Sequence, residues 1–274
     1  MGRHETQNVP RWRYSNRITK RAANRAIYFD FEGRMNESPA LMGVYAGGWF
    51  RHFVFDKDLG SFVKSSRDAG ERVFRRNFAD AIDKELLRAA ESEDRRLIAF
   101  SEHELRCIHA AVGSEVAERV ADRFLNARAF VAAWINRDRR DLRVQLESAT
   151  LENFANICGF DWPEEYELEP ADAIRRLRAR LATSSKRRRP IGRGSTELWA
   201  RLLGYNRYDC LATKHIVLYA LRNSKPPGEQ KGSSEALWIT SFLRCPNWVG
   251  SVPKLGIVAS SVRQCGARVR TQGG

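Results

Sequence analysis

Two groups of acidic residues, far apart in the chain, carry the chemistry open to this sequence. The run Tyr28-Phe29-Asp30-Phe31-Glu32-Gly33 sets two carboxylates at i and i+2 in an apolar stretch. Side chains alternate along a strand, so Asp30 and Glu32 share a face with Tyr28, while Ile27, Phe29 and Phe31 point the other way. Downstream, Tyr205-Asn206-Arg207-Tyr208-Asp209 runs into Cys210-Leu211-Ala212-Thr213 and reads as the start of an amphipathic helix. There Tyr205 and Asp209 lie one turn apart on one face, and Asp209 falls in a first turn, where the helix dipole favours a carboxylate. Paired carboxylates on a central strand are costly unless something positive sits between them. Hard divalent ions such as Mg²⁺ or Mn²⁺ meet that need, taking carboxylate oxygens and keeping positions for phosphate and water. Taken singly, D-x-E is common and a helical Asp is usually surface charge. The strand pair together with a distant helix acid and its Tyr suits a metal-dependent phosphodiesterase.

The elements that must position these residues follow from periodicity and punctuation. Strands are expected at 26–32, 41–46 and 49–55, with Gly47-Gly48 as a tight hairpin turn between the last two. Residues 70–90 look helical through Phe74, Phe78, Ala81, Ile82 and Leu86. Residues 96–100 form a short strand, with Ser101 capping a helix near Glu102. Residues 115–135 read as helical around Val116, Val120, Phe124 and Phe130, and 142–146 as a fifth strand. Thr150 caps a short helix carrying Leu151, Phe154, Ala155 and Cys158, which Gly159 stops. Further helices are expected at 170–181, 196–203 and 206–222, the last two joined at Gly204. The pattern suits an α/β domain with a mixed sheet, antiparallel at one side and crossover-connected at the other.

Composition bounds the setting. The 274 residues, 43% of them hydrophobic, suffice for one large domain with appendages. A formal charge of +14 favours a polyanionic partner, through release of condensed counterions. The five cysteines form no C-x-x-C pair, so a disulfide scaffold or zinc ribbon is disfavoured and a reducing cytoplasm is expected. No run approaches the ~18 apolar residues of a membrane span, and the N-terminus has no apolar signal core. Residues 1–25, with six Arg and one Lys, read as a flexible basic arm. Residues 223–274 read as linker and tail of unassigned role, open to disorder, although Trp238 and Trp248 leave room for a small packed appendage.

Three segments carry a family resemblance: Tyr28–Gly33, Ile98-Ala99-Phe100-Ser101-Glu102-His103-Glu104, and 205–213. They are similar to the three signatures of the ribonuclease-H-like superfamily. More narrowly, they resemble the DnaQ-like 3′–5′ exonucleases with a Tyr-type third motif, nearest the predicted RecB-family or YprB-type nucleases. The stretch from Ser148 to Phe160 resembles a further motif of that branch, and the likeness covers about residues 26 to 222. The third motif is specific, the first moderately so and the second weak. The resemblance implies a ribonuclease-H-like mixed sheet flanked by helices, with Asp30, Glu32, Glu104 and Asp209 binding two Mg²⁺ or Mn²⁺ ions roughly 3.5–4 Å apart. It implies that Tyr205 orients the attacking water. Glu104 departs from the Asp of the wider exonuclease pattern, and is preferred to Glu102 by alignment. His103 and His215 read as packing or surface residues.

Lys186, Arg187, Arg188, Arg189 and Arg193 form a basic run shortly before the third motif and are candidates to hold the phosphates of a single-stranded end. A solvated loop is the plain alternative. Trp12, Tyr14 and Trp199 are stacking candidates, with core packing the default for Trp199. The expected function is a metal-dependent nuclease of DNA or RNA, a 3′–5′ exonuclease by a two-metal mechanism. The competing expectation is a nucleic-acid-binding module that kept the fold and lost efficient catalysis. A restriction-type nuclease ranks low, because the sole acid-x-Lys is Glu229-Gln230-Lys231 in the tail.

Overall fold

The computed structural model describes residues 12, 14–33, 37–164, 168–186 and 191–224. The chain enters through helix α1 (Lys20–Arg25), capped by the Thr19 hydroxyl, which accepts from the Ala22 N–H. Strand β1 (Ile27–Glu32) follows, then β2 (Leu41–Ala46) and β3 (Trp49–Val54). Gly47 and Gly48 both take positive φ, 56° and 86°, as the two-residue hairpin turn requires. Helix α2 (Gly60–Asp68) leads to β4 (Val73–Arg75). A helical arm then runs through α3 (Phe78–Ala81), widened π-type turns over Ile82–Leu87, and α4 (Arg88–Ser92). Strand β5 (Leu97–Ala99), α5 (His103–Val112), α6 (Ser114–Arg123) and β6 (Phe124–Asn126) complete the sheet.

The helical remainder comprises α7 (Ala127–Asp138), α8 (Arg140–Arg143), α9 (Leu151–Ile157), α10 (Pro170–Lys186) and α11 (Arg193–Asn223). The sheet order is β4-β3-β2-β1-β5-β6. The β1–β2–β3 meander is antiparallel, while β4, β5 and β6 join their neighbours in parallel. This is an α/β fold whose mixed sheet is flanked by helices, consistent with the ribonuclease-H-like arrangement expected from the sequence.

Alternation along β1 divides the core. Ile27, Phe29 and Phe31 pack with Ile82, Leu86, Leu105 and Val120 on the side of α3–α6. Tyr28 points to the opposite face, where Trp134, Cys210, Ile216 and Val217 of α7 and α11 gather, and its hydroxyl donates to the Ala23 carbonyl at 2.8 Å. A third cluster fills the β2–β3 end of that face, joining Leu41, Val54 and Phe62 to Leu198, Trp199, Leu202 and Leu203.

Several expectations are corrected. Helix α11 is a single 31-residue element, not two helices joined at Gly204. A mid-helix glycine costs only about 1 kcal/mol relative to alanine. It is outweighed by the continuous seam Leu198, Trp199, Leu202, Leu203, Asn206, Asp209, Cys210, Thr213, Ile216, Val217 and Ala220, all buried. Asp209 accordingly lies mid-helix, and the dipole argument for a first-turn carboxylate does not apply. Residues 142–146 are not a strand: Leu142 and Arg143 belong to α8, and Val144 is 89% exposed. Their backbone bonds are spent locally instead, the N–H groups of Leu142, Gln145 and Leu146 donating to the carbonyls of Arg139, Leu142 and Arg143.

Within 70–90, pairing of residues 73–75 with β3 wins over helix, which begins only at Phe78 after the Asn77 cap. Within 115–135, Phe124 and Leu125 form β6 between two helices and bury on opposite faces of the sheet. Helix α10 runs on to Lys186, past the expected end at 181. Within the expected arm at 1–25, the described residues include α1, and the Tyr14 hydroxyl donates to the Glu102 carboxylate while its ring packs edge-on against Phe124. Most of the expected C-terminal tail, 225–274, lies outside the described residues.

Candidate metal centre

The site forms where β1 and β5, running in parallel, meet the middle of α11. Asp30 and Glu32 point from β1 toward α11 because they share the Tyr28 face. Asp209 comes down from α11 between its two apolar halves: the stretch before it packs against Phe62 and Leu177, the stretch after it against Trp134 and Leu125. This double anchorage fixes the acid over the strand. One ligand oxygen from each of Asp30, Glu32 and Asp209 lies within 4.8 Å of the others, close enough to hold a metal ion. Glu32 and Asp209 are 7% and 8% exposed, and Asp30 is half-buried.

Such a cluster resists ionisation. Burial lifts Asp30 to about 7, against the lowering effect of hydrogen bonds from Glu32, from the Asn206 amide and from the Phe31 N–H. Glu32 lies well above the usual carboxylate range, through burial first and then the charges of Asp30 and Asp209. Asp209 is raised likewise, by burial and by the charges of Asp30 and Glu152. Glu32 Oε1 is buried with no hydrogen-bond partner. An unpartnered carboxylate oxygen among like charges is costly, and a hard cation would satisfy both the lone pair and the repulsion. The donor set, all carboxylate oxygen, fits Mg²⁺-, Mn²⁺- or Ca²⁺-like ions better than soft metals.

Glu104 stands in the first turn of α5, which follows directly from β5. It is buried and raised to about 8, by desolvation first and then by the charge of Asp30. The Ser101 hydroxyl donates to its Oε2 at 3.3 Å. It borders the site without joining the close three-acid cluster. Glu102 is committed elsewhere, to the Tyr14 hydroxyl. Tyr205 lies one turn before Asp209, half-buried, its ring 5.9 Å from that of Trp162. Burial raises its phenol far above the ordinary value, with Asp209, Glu32 and Asp30 adding to the effect. The group stays protonated.

The histidines behave as expected of packing residues: His103 Nε2 meets Cys107 Sγ at 3.4 Å, and His215 Nε2 the Cys158 carbonyl at 2.8 Å. Trp199 belongs to the core, stacked on Phe62 and donating to Ser66 Oγ at 2.8 Å. Trp12 packs edge-on against His109. Arg193 opens α11 and pairs with Glu197 at 2.7 Å. Lys186 ends α10, while its side chain and Arg187, Arg188 and Arg189 lie outside the described residues.

Three residues near the site were not assigned from the sequence. Asn206, fully buried, donates its amide to Asp30 Oδ2 at 2.8 Å. Gly43 faces Asp30 across the β1–β2 ladder, and a glycine within an apolar strand is itself a signal of close approach. Glu152, exposed on α9, adds a negative field at Asp209 and Tyr205 that spacing alone does not reveal.

No family model matches the chain, and no curated protein or solved structure matches it either. Among the described residues no helix is long and apolar enough to cross a membrane, and Cys107, Cys158 and Cys210 are free thiols.

Proposed function

We propose that this protein is a divalent-metal-dependent nuclease that hydrolyses phosphodiester bonds of DNA or RNA, working as a 3′–5′ exonuclease of the DnaQ-like kind. One observation carries the reading: the buried carboxylates of Glu32 and Asp209 and the half-buried one of Asp30 converge within 4.8 Å, with an unpartnered Glu32 oxygen among them. The motif resemblance at Asp30, Glu32, Glu104, Tyr205 and Asp209 supports it, as does the +14 charge of the chain.

Asp30, Glu32 and Asp209 would hold Mg²⁺ or Mn²⁺, with Glu104 completing a two-ion set at the β5 side. Bound there, the ions supply charge neutralisation and activation of water toward a phosphodiester. The chain supplies the rest. The bare carboxylate cluster repels a phosphate, so substrate binding and metal loading are linked. The protonated Tyr205 hydroxyl acts as a hydrogen-bond donor that orients water, not as a base. Basic surface residues draw in the polyanion and make binding salt-dependent.

The test is cleavage of 5′-labelled single-stranded and duplex oligonucleotides, DNA and RNA, in Mg²⁺, in Mn²⁺ and in EDTA. The expected result is metal-dependent shortening from the 3′ end, lost at least 100-fold in Asp30→Asn and Asp209→Asn. Salt-sensitive binding without cleavage would replace the enzyme by a binding module. Absent or salt-insensitive binding would count against both.

A further inference from the structure

We propose that Asn206 is a positioning residue for Asp30, seated by the missing side chain of Gly43; this rests on the nuclease reading above. Asn206 is 0% exposed, in the α11 seam just before Asp209. Its Nδ2 donates to Asp30 Oδ2 at 2.8 Å and lies 3.4 Å from the Asp30 carbonyl, across 176 residues of sequence. Both contacts fall on one residue, so the amide clamps the Asp30 carboxylate relative to its own backbone and leaves the other carboxylate oxygen uncommitted by Asn206.

The clamp depends on space. Gly43 pairs with Asp30 in the β1–β2 register. A Cβ there would stand 2.2 Å from Asn206 Oδ1, 2.9 Å from its Cγ and 2.8 Å from Phe50 Cζ. Any side chain at 43 would therefore push the amide off its present position. Packing alone does not account for this arrangement. Asn206 Oδ1 is buried without a hydrogen-bond partner, a cost that an apolar residue on the same seam would avoid. What the amide provides in return is a fixed orientation for one acid of the cluster. Groups that orient a metal ligand in this way typically contribute 10- to 100-fold in metal affinity or activity.

The test measures Mn²⁺ binding to the full chain, from the free-Mn²⁺ electron paramagnetic resonance signal, together with kcat and KM on a labelled oligonucleotide. Thermal melts check the fold. Asn206→Ala is expected to weaken Mn²⁺ binding roughly tenfold or more and to lower kcat, with KM unchanged. Asn206→Ser takes its place if the alanine variant is too unstable to assay. Gly43→Ala, which keeps the amide but crowds it, should shift both quantities the same way. Mn²⁺ affinity and kcat within twofold of wild type in these variants, while Asp30→Asn loses Mn²⁺, would overturn the positioning role and leave the nuclease reading intact. Weakened Mn²⁺ binding in a protein that cleaves nothing would keep the positioning role and sink the nuclease reading. A wild type that neither binds Mn²⁺ nor cleaves would overturn both.

Discussion

Asp209, midway along α11, lies against Glu32 at the end of β1, carboxylate to carboxylate, with Asp30 completing a set of oxygens no more than 4.8 Å apart. Two elements far apart in sequence thus meet at one acidic cluster, and the consequences are measurable.

The first consequence is a pH dependence of the stabilisation by metal. Asp30 and Glu104 titrate near 7 and 8 when folded, against about 3.9 and 4.3 in an unfolded chain. Between roughly pH 4 and pH 8 the folded protein holds protons that the unfolded chain releases, so these groups lower stability as pH rises. A divalent ion displaces those protons. The rise in Tm caused by Mg²⁺ or Mn²⁺ should therefore be larger at pH 8 than at pH 6, as differential scanning fluorimetry would record. An equal or smaller rise at pH 8 would contradict the buried cluster.

Removing one charge from the cluster should stabilise the metal-free protein while disabling it. Asp209→Asn keeps the shape of the side chain and relieves repulsion at Glu32. At pH 8 without metal its Tm should exceed that of the wild type, by about 2–4 °C for each kcal/mol relieved, and its gain from Mn²⁺ should vanish. A lower Tm with a retained gain would place Asp209 outside the site.

His52 makes an opposite and separable contribution. Its Nε2 donates to the Leu203 carbonyl at 3.0 Å, tying β3 to α11, and burial depresses the ring to about 3. The unfolded chain takes up a proton near pH 6.5 that the folded chain refuses, so this group costs stability as pH falls from about 6.5 toward 3. His52→Gln should lower stability at pH 7 by about 1–3 kcal/mol and flatten the loss between pH 7 and pH 5. Urea denaturation at the two pH values reads both effects.

Trp199 anchors the N-terminal half of α11 through its stack on Phe62 and its bond to Ser66. Trp199→Ala should cost about 3–5 kcal/mol in chemical denaturation. Because that half of the helix also holds Asp209 in place, Mn²⁺ affinity should fall with it.

Much of this arrangement was legible in the sequence, and the reasons differ by residue. The face shared by Asp30 and Glu32 followed from strand alternation, and the hairpin from Gly47-Gly48. The helix cap at Thr150 was also readable, its hydroxyl accepting from the Asn153 N–H. At α5 the cap position falls to Glu102 instead of Ser101, whose hydroxyl accepts from the His103 N–H in the turn just before the helix. The three-residue strands β4 and β6 were not readable, because so short a run carries no period of its own and takes its form from the neighbouring strand. The continuity of α11 was hidden by Gly204, whose local preference yields to burial on both sides. At the site, single-residue chemistry picked out the acids. Asn206 and Gly43 acquire meaning only as a pair between α11 and β2, a relation that no one-dimensional pattern states.

The most direct measurement is anomalous diffraction from crystals of the protein soaked in Mn²⁺. Anomalous density bounded by Asp30, Glu32 and Asp209, with Glu104 facing it, is expected, and so is its loss in Asp209→Asn. Crystals with no manganese among these three carboxylates, or with it bound equally well in Asp209→Asn, would contradict a metal centre at Asp30, Glu32 and Asp209.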